Sequence, residues 1–166
     1  MATPRATSRR TDVMKSSSSV NGSYILIVHL QEVATLEAGS FGKRLFSAGY
    51  YAYVGSAMGG LRPRLRRHLS KNKMPYWHID YLTKTAAITS IIVLESAVRV
   101  ECSIAKALEP QFVSVAGFGC SDCGCSSHLF FAPREEEMKE GVKRALSLIR
   151  CPSKILERKE IRRYRR

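Results

Sequence analysis

Apolar and polar positions along the 166-residue chain repeat with two different periods, and the changes of period mark its elements. From Ser23 to Leu30 the run SYILIVHL is β-branched and apolar, follows Asn21-Gly22, and reads as a buried strand. A second β-type run, YYAYVG, covers Tyr50 to Gly55. The stretch between them, through Glu37, Gly39, Gly42 and Gly49, reads as a loop or irregular hairpin that lets the two strands pair. After Gly59-Gly60 the period lengthens. Pro63 suits a first helical turn, and Leu61, Leu65 and Leu69 recur at helical spacing, which predicts a helix over 61–70. Arg64 and His68, also four apart, then share an adjacent face.

YWHIDYL, residues 76–82, begins another helix or an ordered loop, and AITSIIVL, 87–94, reads as a third strand. Arg99 to Leu108 reads as a helix with Ile104, Ala105 and Leu108 turned inward and Glu101 in its first turn. Residues 117–131 read as a loop followed by a short strand. From Pro133 an amphipathic helix runs to about residue 150, with Met138, Val142, Ala145 and Ile149 on its core face and its acids ahead of its bases, the order the helix dipole favours. These elements predict an α/β (α+β) domain over 22–150, with a small, mainly antiparallel three-stranded sheet flanked by helices. Residues 1–21, rich in Ser, Thr and Arg, read as a disordered tail, and 151–166 as a basic C-terminal tail.

Composition adds limits. With 45% of residues hydrophobic the chain can bury a core, yet no apolar run approaches the roughly 20 residues of a spanning helix, so no membrane partner is expected. The net charge of +13 is unevenly placed: residues 61–73 hold six Lys and Arg and no acid, and 150–166 hold eight against Glu157 and Glu160. Such clustering points to a polyanionic partner, and Arg62, Arg66, Arg67, Lys71 and Lys73 are the expected phosphate contacts. No secretory signal is visible, so the five cysteines read as thiols or metal ligands in a cytoplasmic, reducing setting. Organellar targeting by residues 1–21 and a start at Met14 both stay open, as does the oligomeric state.

Two polar groupings sit in apolar surroundings. Cys120, Cys123 and Cys125 form C-x-x-C-x-C with His128 three residues on, a set that on paper could hold a structural Zn²⁺. Zinc sites normally draw on two knuckles separated by a longer loop, and four ligands crowded into nine residues favour plain buried thiols instead. Cys102 and Cys151 read as core residues. His78 and Asp80 are either structural or phosphate-facing, and Tyr76 and Trp77 either pack or stack on a base.

The sequence order of strand, strand, Arg/His helix, strand and Glu helix resembles the GIY-YIG nuclease superfamily. Gly22-Ser23-Tyr24 stands where the first tripeptide would be and Tyr53-Val54-Gly55 where the second would be. LRPRLRRH supplies the Leu-x-x-Arg-Leu-x-x-His helix. YVGSAMGGLRPRLRRH with YWHIDYL, GFGCSDC and SHLF is similar to a poorly characterised branch of that superfamily sometimes found beside endonuclease III-type repair domains. The resemblance implies a divalent-metal-dependent DNA endonuclease that uses Mg²⁺ or Mn²⁺, in DNA repair or processing. It implies Arg64 as a clamp on the phosphate, Glu101 as the metal carboxylate, and Tyr24 as acceptor of the proton from the attacking water, with Tyr53 and His68 supporting. Asp122 is an alternative carboxylate, and Ser121, Asp122 or Ser127 could replace the late asparagine of many members. The 28 residues between Tyr24 and Tyr53 exceed the family's usual spacing, so an insertion is expected there. Taken singly, each of these residues suits packing or a solvated helix face; a non-catalytic nucleic-acid-binding module is the competing class.

Overall fold

The alternation of side chains along Gly22–Leu30 (β1) decides the architecture, because both of its faces are apolar and both must be covered. The computed structural model describes residues 20–165, so the tail expected over 1–21 lies almost wholly outside the described residues. β1 pairs antiparallel with Gly49–Ala57 (β4) on one side and Ala87–Glu95 (β5) on the other, which gives the predicted three strands. The sheet does not stop there. Val113–Ser114 (β6) and Leu129–Ala132 (β7) extend it beyond β4, and Lys154–Leu156 (β8) pairs with Ile91–Val93 of β5. The expected three-stranded sheet is therefore six-stranded, in the order β6-β7-β4-β1-β5-β8, with every pairing antiparallel.

Two further segments are structured: the one read as a loop or irregular hairpin is a hairpin, and the one read as a basic tail holds a strand and a helix. The insertion between the tyrosine strands folds as a separate antiparallel hairpin, Ala34–Glu37 (β2) with Lys43–Phe46 (β3), anchored by buried Phe46. The expected C-terminal basic tail contains β8 and the helix Arg158–Tyr164 (α5). Leu156 and Ile161 bury themselves in the core there, and the charges around them stay outside.

Helices cover both faces. Leu61–Leu69 (α1) and His78–Leu82 (α2), with α5, lie over the face that carries Tyr24, Leu26, Tyr51 and Tyr53. Glu101–Leu108 (α3) and Glu135–Ser147 (α4) cover the other, where Ile25, Ile27, Val54, Ile92 and Leu94 meet Ile104, Leu108, Met138 and Val142. Fully burying an aliphatic side chain of this size contributes about 1.5–3 kcal/mol, and both faces hold such residues, the first adding Leu65, Ile79, Leu82 and Ile91 around its tyrosines. Among the described residues no helix is long and apolar enough to cross a membrane.

Candidate functional site

Both tripeptide glycines are explained by close approach. A Cβ on Gly22 would lie 2.3 Å from the Leu94 carbonyl oxygen of β5. A Cβ on Gly55, opposite Tyr24 in the β1–β4 register, would lie 2.4 Å from the Tyr24 hydroxyl. The Tyr24 ring thus lies flat across the gap that Gly55 leaves, and this directs its hydroxyl toward α1. There it meets His68 Nε2 at 2.6 Å.

Both side chains are almost fully buried. Burial, then the neighbouring Tyr53 hydroxyl, pushes the Tyr24 phenol well above its ordinary range, against the pull of Arg64. Burial and then Glu101 push Tyr53 up as well. Burial, with the positive charges of Lys73, Arg64 and Arg67, drives His68 down to about 3 although Asp80 opposes it. Near neutral pH the site therefore holds two neutral phenols and a neutral imidazole, whose Nδ1 has no hydrogen-bond partner among the described residues.

Arg64 and His68 share a side of α1, as their spacing predicts, but serve different surroundings. His68 is 3% exposed, whereas the Arg64 guanidinium lies 4.3 Å over the Trp77 ring and faces an open cleft. That cleft, about 560 Å³, is walled by Tyr24 and Tyr53 from the sheet, Arg64 from α1, His78 from α2, Glu101 from α3 and Asp122 from the loop before β7. Four residues distant in the chain and singled out together (Tyr24, Tyr53, Arg64, Glu101) share it. Arg99, which no sequence motif singles out, also lines the cleft, with its guanidinium 3.9 Å from the Glu101 carboxylate.

Other expected residues have different places. Asp80 is fully buried beneath Trp77, outside the cleft lining. Its carboxylate accepts the Tyr76 and Trp77 backbone N–H groups at 3.0 Å each and a 2.7 Å bond from Arg67, with Lys73 at 3.3 Å. Burial works to raise it, and these partners outweigh burial and hold it below the ordinary carboxylate range. Asp80 is an organiser that fixes the Trp77 turn against α1. Arg67 and Lys73, expected on phosphate, are engaged with it, and Lys73 also donates to the His68 carbonyl. Arg62, Arg66 and Lys71 are exposed on or just beyond α1. His78 lines the cleft and accepts the Gly119 N–H at Nδ1.

The cysteine cluster is regrouped. Cys120 stands apart, while Cys102, read as a core residue, joins Cys123, Cys125 and His128. Their four ligand atoms all lie within 4.8 Å of one another and can hold a metal such as zinc. Burial and the hydrogen bonds from Cys125 and Cys123 push the Cys102 thiol up to about 12. The longer loop that a two-knuckle site requires is the 20 residues between Cys102 and Cys123, and that spacing was the available signal.

A family profile described as Domain of unknown function DUF123 matches residues 23–151. Comparison with the curated proteins and with the solved structures gave no match.

Proposed function

The chain belongs to the DUF123 family, and from the cleft that its domain carries we propose that it is a divalent-metal-dependent DNA endonuclease of GIY-YIG type, acting in DNA repair or processing. The observation that carries this reading is the convergence of Tyr24, Tyr53, Arg64 and Glu101, from four different elements, on one open cleft.

Arg64 binds the scissile phosphate. Its guanidinium is held over Trp77 before any substrate arrives, so its charge-assisted hydrogen bonds to the non-bridging oxygens need little reordering as negative charge builds there. The donor set suits a hard cation: the Glu101 side chain is only 15% exposed, lines the cleft and among the described residues has no ion-pair partner other than Arg99 at 3.9 Å, and the Asp122 carboxylate lines the same cleft. Mg²⁺ or Mn²⁺ at Glu101, with Asp122 assisting, would supply positive charge that acidifies water and stabilises the pentacovalent transition state.

Tyr24 orients the attacking water. With its hydrogen directed to His68 Nε2, the phenol oxygen has lone pairs free for a water in the cleft, and Tyr53 offers a second hydroxyl. As the water gives its proton to Tyr24 Oη, the tyrosine proton passes to His68 Nε2, and the hydroxide formed attacks phosphorus while the P–O bond to the leaving sugar oxygen breaks and that oxygen takes a proton from water in the open cleft. A phosphate bound at Arg64 offsets one of the charges that hold His68 down, which eases that transfer. At the rim, Tyr76 is 79% exposed beside Trp77 and presents a stacking face for an unpaired base.

Branched, nicked and single-stranded DNA incubated with the protein, with and without Mg²⁺ or Mn²⁺, tests the proposal. Metal-dependent cleavage is the expected result. Salt-sensitive binding with no cleavage under either metal would replace it with the non-catalytic nucleic-acid-binding module.

A further inference from the structure

The loop between β6 and β7, residues 115–128, forms one wall of the cleft and is well bonded at its base but sparsely at its tip. Phe118 and His128 are its large buried side chains, backbone pairs such as Gly117 N–H to the Ser126 carbonyl and His128 N–H to the Phe118 carbonyl close its base, and at the tip the backbone adds one turn, Cys123 N–H to the Cys120 carbonyl. Its tip carries Ser121, Asp122, Cys123, Gly124 and Cys125. Facing that tip is the first turn of α3, where Cys102 follows Glu101 directly.

We infer that Cys102, Cys123, Cys125 and His128 form a structural zinc site that fastens the start of α3 to this loop. Thiolates bind zinc at about 2.3 Å and imidazole at about 2.0–2.1 Å, so a tetrahedral site separates sulfur from nitrogen by about 3.6 Å. Cys123 Sγ lies 3.5 Å from His128 Nε2. The imidazole distinguishes this arrangement from a disulfide pair, which would have no use for it, and His128 is 2% exposed with Nε2 turned to the sulfur. Three sulfurs and one nitrogen are soft enough to select zinc over the magnesium that oxygen donors favour. Closing the ring from Cys102 to Cys123 staples two segments that share no backbone pairing in the sheet. Its consequence for the cleft, which rests on the nuclease reading, is a fixed separation between Glu101 and Asp122, because each neighbours a ligand in sequence.

The test is zinc content, read without DNA. Full-length protein purified without chelator should contain about one zinc per chain by elemental analysis, and a mercurial reagent should release it. Protein produced with Co²⁺ should show the intense near-ultraviolet thiolate-to-cobalt absorption and a tetrahedral visible band. Cys102→Ser should lose most of both signals, Cys120→Ser should lose neither, and Glu101→Gln should keep its zinc even if cleavage is lost. Wild type without zinc, a Cys102 disulfide on mass mapping, or equal loss in Cys102→Ser and Cys120→Ser would overturn the assignment. If Cys102→Ser does not fold, wild-type zinc content and the cobalt spectrum decide it. A zinc-loaded protein that never cleaves DNA would leave this site standing and remove the nuclease.

Discussion

The two faces of the central sheet are built from alternate residues of the same strands, and they differ in kind. Toward α3 and α4 the strands offer Ile25, Ile27, Ala52, Val54, Ile92 and Leu94, which close against aliphatic helix residues. Toward α1 and α2 they offer Tyr24, Tyr51 and Tyr53, and the helices answer with His68 and, beneath Trp77, Asp80. Burying phenols, an imidazole and a carboxylate is costly unless each is satisfied. Side-chain polarity on that face therefore reports positioning, and the aliphatic packing of both faces supplies the stability that permits it.

The largest expected effect lies on the aliphatic side. Ile104→Ala should remove about 2–5 kcal/mol of stability in denaturant unfolding, since Ile104 is fully buried between the sheet and α4, and should leave cleavage per folded molecule unchanged. Arg64→Ala should do the reverse: a loss of cleavage on the order of a hundredfold or more, with weakened DNA binding and an unfolding midpoint close to wild type. If both variants lose stability alike, the two faces do not divide the work as described.

A third effect depends on pH. The His68 pKa is lowered from 6.5 in the unfolded chain to about 3 in the fold, so the unfolded state binds the proton first as pH falls. The stability His68 contributes is complete above pH 6.5 and is lost progressively toward pH 3. The groups facing it are Tyr24 and Tyr53, the cations Arg64, Arg67 and Lys73, and the carboxylate Asp80, whose own contribution fades only below its ordinary value of 3.8. Between pH 6.5 and 4, His68→Gln should therefore show a shallower loss of melting temperature than wild type, by an amount worth on the order of 3 kcal/mol. Identical pH slopes would mean that His68 is not held neutral by burial.

Strands β1, β4 and β5 and helices α1, α3 and α4 were legible because each carries its own period over several residues. What escaped detection were elements stabilised from outside. In β8 and α5 the residues Leu156 and Ile161 are isolated among basic side chains, and only the groove beside α1 and β5 makes them core. For the β2–β3 segment the expectation was a loop or an irregular hairpin, because strands of four residues are too short for alternation to decide between them. In the candidate site, the helical spacing of Arg64 and His68 was readable, while their separate fates depended on the bare Gly55 that admits Tyr24 and on the Trp77 ring. Asp80 could not be assigned because backbone N–H groups brought to it by the fold decide its role. Cys102 was missed for a related reason: the 20-residue spacing to Cys123 was readable, but only the fold brings its partners to the start of α3.

The central claim is that Glu101 holds a divalent cation beside Arg64 on the tyrosine face. Cleavage of labelled branched DNA by wild type and Glu101→Gln, measured side by side in Mg²⁺, Mn²⁺ and chelator with binding measured in chelator, tests it most directly. The account predicts metal-dependent cleavage by wild type, a loss on the order of a hundredfold or more in Glu101→Gln, and DNA binding by the variant at least as tight as wild type, because a negative charge has left the cleft. A folded Glu101→Gln protein that cuts as fast as wild type would contradict it.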